Sequence, residues 1–197
     1  KYVWVRCQGI VERNADGSLG LFVGTMMNLG VNAKFDQPTG LYTFHELKKQ
    51  LPAFISHGME GAVLLFDVDR LQRINDILGY LVGDEVLQRL GQKCQSLEGV
   101  IFYRGPGGKF YCITTEKSEN ALERIYQEMQ KFSVEVPREM NLEIQLTISC
   151  GVAFFPQDAE DFETLHANVE YALEQAKKVG RGSIAQFSGQ MHRKTVE

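Results

Sequence analysis

The sequence predicts an α+β fold in which one central sheet is flanked by helices. Two observations support this prediction. Apolar runs typical of strands alternate with apolar stripes at helical spacing, and a glycine-rich turn separates two strand-like runs near the middle of the chain. From residue 43 onward the predicted order is helix, strand, two helices, hairpin, helix, strand, helix.

The first predicted helix begins at a capping box and is followed by a buried strand. Thr43 and Glu46 have the capping-box spacing, and an apolar stripe follows them as far as residue 55. Pro52 is expected to kink or shorten this helix. Residues 62–66 are continuously apolar, as expected for a strand buried on both faces.

Two consecutive helices are predicted next, with apolar stripes over 71–81 and 86–94 and a break near Gly83. Strands over 100–103 and 110–114 then flank the glycine-rich turn. In that turn Gly105-Pro106-Gly107-Gly108 has proline second and glycine third, which favours a type II turn.

The last three predicted elements are two helices and the strand between them. The first helix has an apolar stripe over 122–132, and residues 142–150 alternate at period two, the pattern of a half-buried strand. The final stripe, over 165–179, predicts a helix that Gly180 ends as its C′ residue.

Residues 1–34 differ from the rest of the chain. Two strand-like runs, 2–5 and 19–24, flank Asn14-Ala15-Asp16-Gly17, a hairpin signal. A two-stranded ribbon is marginal by itself, so we expect it to pack on other structure. This piece resembles the last two strands of a PAS sensor domain, with a plain N-terminal hairpin as the alternative. The expected domains are therefore a PAS-like end with a linker over 1–34 and a second domain over 35–197, within a larger protein.

The composition is that of a globular protein with few charged partners. The chain has 197 residues, 44% of them hydrophobic, and a net charge of −4, which argues against general nucleic-acid binding. No apolar run approaches the ~20 residues that span a bilayer, so no membrane contact is expected. The four cysteines lack a C-x-x-C spacing, which favours buried reduced thiols over disulfides or a metal site and indicates a cytoplasmic location. They are Cys7, Cys94, Cys112 and Cys150.

Two pairs of polar residues are candidates for chemistry. Asp67 and Asp69 follow the buried strand, where a carboxylate can hold Mg²⁺ against substrate phosphates; alternatively, Asp69 caps the next helix and Asp67 only ends the strand. Asn75 and Asp84 offer an amide and a carboxylate that could together read guanine, since the acid accepts from the ring N–H and the exocyclic amine. A simple N-cap is the alternative for Asp84.

Six motifs occur in one order and resemble, at matching distances, the GGDEF family of diguanylate cyclases. The resemblance covers about residues 36–188. It implies a mostly antiparallel sheet similar to that of class III nucleotidyl cyclases and polymerase palm domains, and an activity that joins two GTP molecules into cyclic di-GMP across a dimer. The motifs are Asp36-x-x-Thr39-Gly40-Leu41, Asp67-x-Asp69, Ile74-Asn75-Asp76, Gly79-x-x-x-Gly83-Asp84, Ser149-x-Gly151-Val152-Ala153 and Ala172-Leu173-x-x-Ala176-Lys177-x-x-Gly180-Arg181.

The resemblance assigns roles to individual residues. Asp67, with the backbone of Val68, matches the first metal ligand, and Mg²⁺ is expected only together with a bound nucleotide. Asn75 and Asp84 match the residues that read guanine. Lys177 and Arg181 match positions that contact phosphate; four residues apart on one helical face, they could reach a single triphosphate, and the alternative is a favourable charge at the helix C-terminus.

The signature motif itself is degenerate. The family's Gly-Gly-Asp/Glu-Glu-Phe aligns with Pro106-Gly107-Gly108-Lys109-Phe110, so Gly108 replaces the acid that completes the metal site and Lys109 reverses the charge of the next acid. Gln72 and Tyr80 replace a lysine that contacts the triphosphate and a frequent histidine. The product-inhibition motif Arg-x-x-Asp would fall on Leu97 and Val100 and is absent.

The expected function follows from these departures. Carboxylates that clamp metal ions contribute orders of magnitude to phosphoryl transfer, so the sequence predicts a degenerate GGDEF module of a bacterial signalling protein. Such a module would bind GTP or a related guanine nucleotide, act in regulation or as a homodimer, and relay to adjacent sensor or effector domains without making cyclic di-GMP. The alternatives are an active cyclase with a rearranged metal site and a pure interaction scaffold.

Overall fold

The computed structural model describes residues 5–14, 16–28 and 33–189. It divides into two compact units, Lys1–Lys34 and Phe35–Glu197. In the first unit, strand β1 (Val5–Arg13) pairs antiparallel with β2 (Leu19–Asn28), with a register irregularity between Glu12 and Arg13. At the turn Gly17 has φ 82° and its N–H donates to the carbonyl of Asn14. The predicted hairpin is therefore present; residues 2–4 of its predicted first strand lie outside the described residues.

The second unit is one six-stranded sheet with helices on both faces. Its strands are β3 (Tyr42–Thr43), β4 (Gly61–Val68), β5 (Ile101–Arg104), β6 (Lys109–Thr114), β7 (Ile148–Phe155) and β8 (Ile184–Gln186), and its helices are α1 (Phe44–Ser56), α2 (Leu71–Leu78), α3 (Tyr80–Gln95), α4 (Glu119–Glu139) and α5 (Phe162–Val179). The strand order is β3-β5-β6-β4-β7-β8. Pairs β5–β6, β6–β4 and β4–β7 are antiparallel, and the two edge pairs are parallel. The predicted α+β fold with a mostly antiparallel sheet is confirmed.

Strand β4 lies at the centre of the sheet and divides the core into two layers. Alternate residues point to opposite faces of a strand, so Leu64 and Phe66 join the layer with α2, α3 and α4, while Val63 and Leu65 join the layer with α1 and α5. All four side chains are buried. The prediction of a strand buried on both faces is confirmed. Because β4 is a central strand, its C-terminal end lies between the ends of its neighbours and not at the side of the sheet.

Two helix boundaries differ from the sequence predictions. The break between α2 and α3 is at Gly79, which has φ 89°, whereas Gly83 lies inside α3. Glycine adopts such a positive φ without steric cost, so the chain turns at Gly79. Pro52 lies inside α1, which continues to Ser56; its buried neighbours Leu47 and Leu51 pack the helix onto the core on the N-terminal side of the proline. Of the two predicted effects of Pro52 on the helix, the shortening is wrong, and the kink stays a prediction.

The predicted strand over 142–150 is also displaced, because β7 begins only at Ile148 and continues to Phe155. Its partner β4 ends at Val68, opposite Ile148. Beyond this pair the N–H of Asp69 still donates to the carbonyl of Thr147 at 2.9 Å, but residues 142–146 have no segment of β4 to pair with, although Leu146 is buried in the core. The alternating apolar pattern before Ile148 therefore reflects contacts with the core and not pairing within the sheet.

Three of the four cysteines are placed as predicted. Cys94, Cys112 and Cys150 are buried and free, and the Cys94 thiol lies 3.6 Å from the sulfur of Met129. Burial raises the pKa of all three thiols. The side chain of Cys7 lies outside the described residues. Among the helices of the described residues, none combines the length and the apolar character needed to cross a bilayer.

Candidate functional site

The candidate site lies where β4 ends beside the turn between β5 and β6. Asp67, the penultimate residue of β4, is opposite Lys109 on one side and Ser149 on the other. The N–H of Val68 donates to the carbonyl of Gly108 at 3.1 Å. A Cβ at Gly108 would lie 2.9 Å from Oδ1 of Asp67 and 3.2 Å from the carbonyl oxygen of Val68. A side chain at position 108 would thus enter the space beside these two oxygens.

The turn before β6 differs in type from the prediction. The N–H of Lys109 donates to the carbonyl of Pro106 at 3.2 Å, so the hydrogen-bonded turn is Pro106–Lys109 rather than 105–108. Gly107, its first central residue, has φ 61°, while Gly108 is not at positive φ. Positive φ at the first central residue alone is the pattern of a type II′ turn. That type matches the twist of the flanking antiparallel strands better than type II does.

Lys109 is held by a carboxylate that the sequence did not identify. Its Nζ lies 2.6 Å and 2.7 Å from the two carboxylate oxygens of Glu170 on α5. The hydroxyl of Tyr111, two residues along β6 and on the same face, lies 3.2 Å from Glu170 and 2.9 Å from Nε2 of His166. Burial lowers the pKa of His166, while the charge of Glu170 opposes this shift. The cation at position 109 is therefore part of a network between β6 and α5.

Lys177 and Arg181 do not share a helical face. Helix α5 ends at Val179, and Gly180 at φ 166° is extended, so Arg181 lies beyond the helix. The Nζ of Lys177 pairs with the carboxylate of Asp67, whereas the Nε of Arg181 lies 4.0 Å from Oδ1 of Asp69. The prediction that α5 presents both cations from one face is wrong, because the helix is a half-turn too short.

Asn75 packs against Gly83, the residue that precedes Asp84 in the chain. Asn75 is on α2, and its Oδ1 is buried with no hydrogen-bond partner among the described residues. A Cβ at Gly83 would lie 1.8 Å from that oxygen, so Asn75 packs directly on the glycine backbone. Asp84 follows Gly83 within α3 and is exposed. Because α3 begins at Tyr80, the alternative in which Asp84 caps the helix is wrong.

Arg104 is a further cation at the turn, and the sequence assigned it no role. Its guanidinium donates to the carbonyls of Gly105, Gly107 and Lys109, the last at 2.7 Å, and lies 4.9 Å from the centre of the Phe110 ring. Burial lowers the pKa of Arg104, and the nearby charges of three aspartates oppose this shift: Asp36, Asp67 and Asp84. Arg104 therefore stabilises the turn by donating to its backbone carbonyls, near the negative charges of these three aspartates.

Asp69 is a structural carboxylate and not a helix cap. Helix α2 has Arg70 at its N-cap, without a side-chain cap. The carboxylate of Asp69 instead accepts hydrogen bonds from the hydroxyls of Thr147 and Ser149 at 2.9 Å and from the N–H of Gly182 at 3.2 Å. It joins the end of β4 to β7 and to the loop after α5, so the capping alternative is wrong.

The remaining departures from the family pattern lie on the surface or in the core. Gln72 donates to Asp76 one helical turn away at 3.0 Å, and Tyr80 is exposed at the start of α3. Leu97 and Val100 pack against the core layer of α2, α3 and α4. Apolar side chains therefore stand where the resemblance would place an arginine and an aspartate.

The side chains at the end of β4 do not fit a metal held by the protein alone. Within residues 5–14, 16–28 and 33–189, no group of three or more His, Cys, Asp or Glu side chains is placed to hold a metal ion. Asp67 supplies one carboxylate, which Lys177 pairs, and Val68 supplies a carbonyl. Glycine at position 108 adds no ligand. Mg²⁺ prefers several oxygen ligands in octahedral geometry, so further oxygens would have to come from a ligand.

Comparisons with known proteins agree with this architecture. The family model described as diguanylate cyclase, GGDEF domain, matches residues 33–183. The diguanylate cyclase VdcA of Vibrio cholerae is 27% identical over 159 residues, which are 78% of this chain and 47% of VdcA. The cyclic di-GMP phosphodiesterase NbdA of Pseudomonas aeruginosa is 30% identical over 173 residues, 81% of this chain and 21% of NbdA. The chain thus spans about half of the first relative and about a fifth of the second.

Solved structures show the same fold. The crystal structure of a sensory box/GGDEF family protein from Caulobacter crescentus has a TM-score of 0.64 and 26% identity, and the match covers 75% of this chain and all of that one (100%). The coiled coil and GGDEF domain of DgcB from the same organism, in complex with c-di-GMP, has a TM-score of 0.63 at 20% identity, covering 79% of this chain and 86% of that chain.

Proposed function

The chain belongs to the GGDEF domain family of bacterial cyclic di-GMP signalling proteins, and on this premise we propose that it binds a guanine nucleotide without cyclising it. In this role it is a regulatory module. Its conformation depends on whether the nucleotide is bound, and adjacent domains or a second copy in a homodimer respond to that conformation. The cytoplasm, where nucleotides are available, is the expected location.

The geometry at position 108 is the observation that carries the proposal. The side-chain direction of Gly108 meets Oδ1 of Asp67 at 2.9 Å, so an acid at this position would stand beside Asp67 and form a pair of carboxylates. With glycine at position 108, Asp67 has no second carboxylate beside it and instead forms an ion pair with Lys177. Phosphoryl transfer with metal ions depends on such carboxylates to hold the ions at the attacking and leaving oxygens. Without the second acid we expect turnover to fall by orders of magnitude.

Nucleotide recognition rests on different residues, and these are intact. The buried Oδ1 of Asn75 lacks a partner within residues 33–189, and a buried polar atom of this kind is costly unless a ligand supplies a hydrogen bond. Asp84, beside Gly83, offers an exposed carboxylate to the N–H groups of a guanine. Lys177 would exchange its contact with Asp67 for nucleotide phosphates, and Arg181 is a further cation for them. Mg²⁺ enters the proposal only as an ion that the bound phosphates help to hold.

Two assays on the same protein test the proposal. Calorimetric titration with GTP and Mg²⁺ should show binding by the native chain, and mass spectrometry after incubation should show neither cyclic di-GMP nor its linear intermediate. Asp84→Ala and Asn75→Ala should each weaken GTP binding at least tenfold, which corresponds to about 1.4 kcal/mol. Asp76→Ala, an exposed carboxylate on the same helix as Asn75, is the matched control and should bind GTP as the native chain does.

The outcomes separate the alternatives. Formation of cyclic di-GMP would favour an active cyclase with a rearranged metal site. Absence of GTP binding, under conditions in which an active cyclase of the family binds, would favour the pure interaction scaffold. The Lys177–Asp67 ion pair supports this candidate because it already satisfies both charges. The assignment of residues 1–34 to the end of a PAS-like sensor domain remains a prediction.

A further inference from the structure

A half-open cavity of about 430 Å³ lies beside α2 and borders the site described above at Asp69 and Arg181. One wall is apolar and consists of Ile74 and Ile77 on α2 together with Ile144 from the segment before β7. Ile77 is 65% exposed, so its side chain is accessible to a ligand in the cavity. The volume is within the range of pockets that bind small molecules, about 300–1,000 Å³.

Three arginines line the same cavity: Arg70, Arg73 and Arg181. No side-chain hydrogen bond or ion pair joins Arg70 or Arg73 to another residue within 33–189. The carboxylate nearest to Arg181 is Asp69, at 4.0 Å, and it already accepts hydrogen bonds from Thr147, Ser149 and Gly182. The cavity therefore has a strongly cationic rim in a chain whose net charge is −4.

The backbone at Arg70 adds an independent sign of a built site. Arg70 has φ 56° and ψ 30°, a left-handed conformation that residues other than glycine rarely adopt. Strained conformations of this kind persist where the surrounding structure enforces them and cluster at ligand sites. Here the conformation occurs at the junction between β4 and α2, on the rim of the cavity.

This cavity is distinct from the proposed nucleotide site. Of the five residues assigned to the guanine, the phosphates and the metal ion, four are absent from its lining: Asp67, Asn75, Asp84 and Lys177. Arg181 is the one residue that both share. An apolar wall opposite a cluster of guanidinium groups requires a ligand with two different ends, because guanidinium forks bind phosphate, sulfonate or carboxylate groups and the isoleucines bind hydrocarbon.

We propose that the cavity lined by Arg70, Arg73, Ile77 and Ile144 is a second binding site, specific for a small organic anion with an apolar body. The cavity shares only Arg181 with the guanine-nucleotide site proposed above, so the two sites are separable by mutation of residues that belong to one of them alone. A ligand here would contact α2, the same helix that carries Asn75 on another face, and would stabilise the junction of β4 with α2.

The anionic dye anilinonaphthalene sulfonate is a suitable probe because it joins a sulfonate to an aromatic body. Fluorescence titration of the native chain should show saturable binding. Arg73→Glu and Ile77→Asp should each weaken this binding at least tenfold; both residues are exposed, so the fold should tolerate the changes. The uncharged relative phenylnaphthylamine should bind at least tenfold more weakly than the sulfonate.

Three controls make the result decisive. Arg124→Glu and Leu81→Asp repeat the same changes at exposed positions outside the cavity and should leave dye affinity unchanged. Asp84→Ala should also leave it unchanged, which separates this proposal from the nucleotide proposal. The proposal is overturned if Arg73→Glu and Ile77→Asp bind the dye like the native chain, if the uncharged dye binds equally well, or if Asp84→Ala abolishes binding.

Discussion

A Cβ added at Gly108 would point toward Asp67 and lie only 2.9 Å from Oδ1 of the aspartate. This distance is shorter than real Cβ atoms show, so the Asp67 carboxylate has to shift to admit any side chain at position 108. With glycine at position 108, Asp67 forms an ion pair with Lys177.

Restoring an acid at position 108 should create a response to Mg²⁺. Without the ion, Gly108→Asp should lower the free energy of unfolding by about 1–3 kcal/mol, because it adds bulk and a second negative charge beside Asp67. Added MgCl₂ should recover part of this loss. Gly108→Ala is the control, since it adds the Cβ without the charge. Thermal denaturation with and without Mg²⁺ measures both, and equal melting of the two variants in both conditions would contradict the prediction.

Gly83→Ala should damage nucleotide binding through Asn75. The new Cβ would lie 1.8 Å from Oδ1 of Asn75, so the amide must move. We expect GTP affinity to fall at least tenfold in calorimetry, even though alanine favours an α-helix more than glycine by up to about 1 kcal/mol. Gly189→Ala, where a Cβ would meet nothing within 4 Å, is the control. Unchanged affinity in Gly83→Ala would remove Asn75 from the proposed site.

Asp69→Asn should destabilise the second unit. The side chain of Asp69 is 1% exposed, and its two oxygens accept from two hydroxyls and one backbone N–H. An amide in this position would turn a donor toward other donors, so we expect a loss of about 2 kcal/mol in urea unfolding. Asp76→Asn, exposed and bonded to Gln72, is the matched control and should change stability by less than about 0.5 kcal/mol. Similar losses in both variants would argue against the structural role of Asp69.

The Lys109–Glu170 pair should show measurable coupling. The side chains are 27% and 28% exposed, and both carboxylate oxygens lie within 2.7 Å of the ammonium. A double-mutant cycle with Lys109→Met and Glu170→Gln should give a coupling energy of about 1 kcal/mol in urea unfolding, at the upper end for ion pairs near the surface. A coupling of zero would mean that the pair does not hold β6 to α5.

Stability should fall in mild acid because of His166. Its folded pKa is lowered by burial and by the charge of Lys109, against the opposing charge of Glu170, whereas the unfolded chain has a pKa of about 6.5. The unfolded state therefore binds the proton first, and stability decreases as the pH falls below about 6.5. Urea midpoints at about pH 7.5 and about pH 5.5 should differ less in His166→Gln than in the native chain. An identical pH dependence of the two proteins would exclude His166 as the cause.

Local patterns were sufficient for most of the fold. Apolar periodicity placed β4 and the helices because burial on one or two faces leaves a direct mark on neighbouring residues. It failed at the break between α2 and α3, because Gly79 and Gly83 are four residues apart and either could end a helix. Only the structure shows that the chain turns at Gly79, which has the positive φ. It failed again before Ile148, since a strand needs a partner and β4 ends opposite that residue.

The sequence by itself determined the family, the α+β class and the absence of acids at positions 108 and 109. Only the tertiary structure decided which charges meet. Lys109 pairs with Glu170 across 61 residues of chain and Lys177 with Asp67 across 110, while Arg181 lies beyond the end of α5 and lines the cavity beside α2. The physical reason is that burial and helical period act on adjacent residues and appear as local patterns, whereas an ion pair depends on where two distant segments pack.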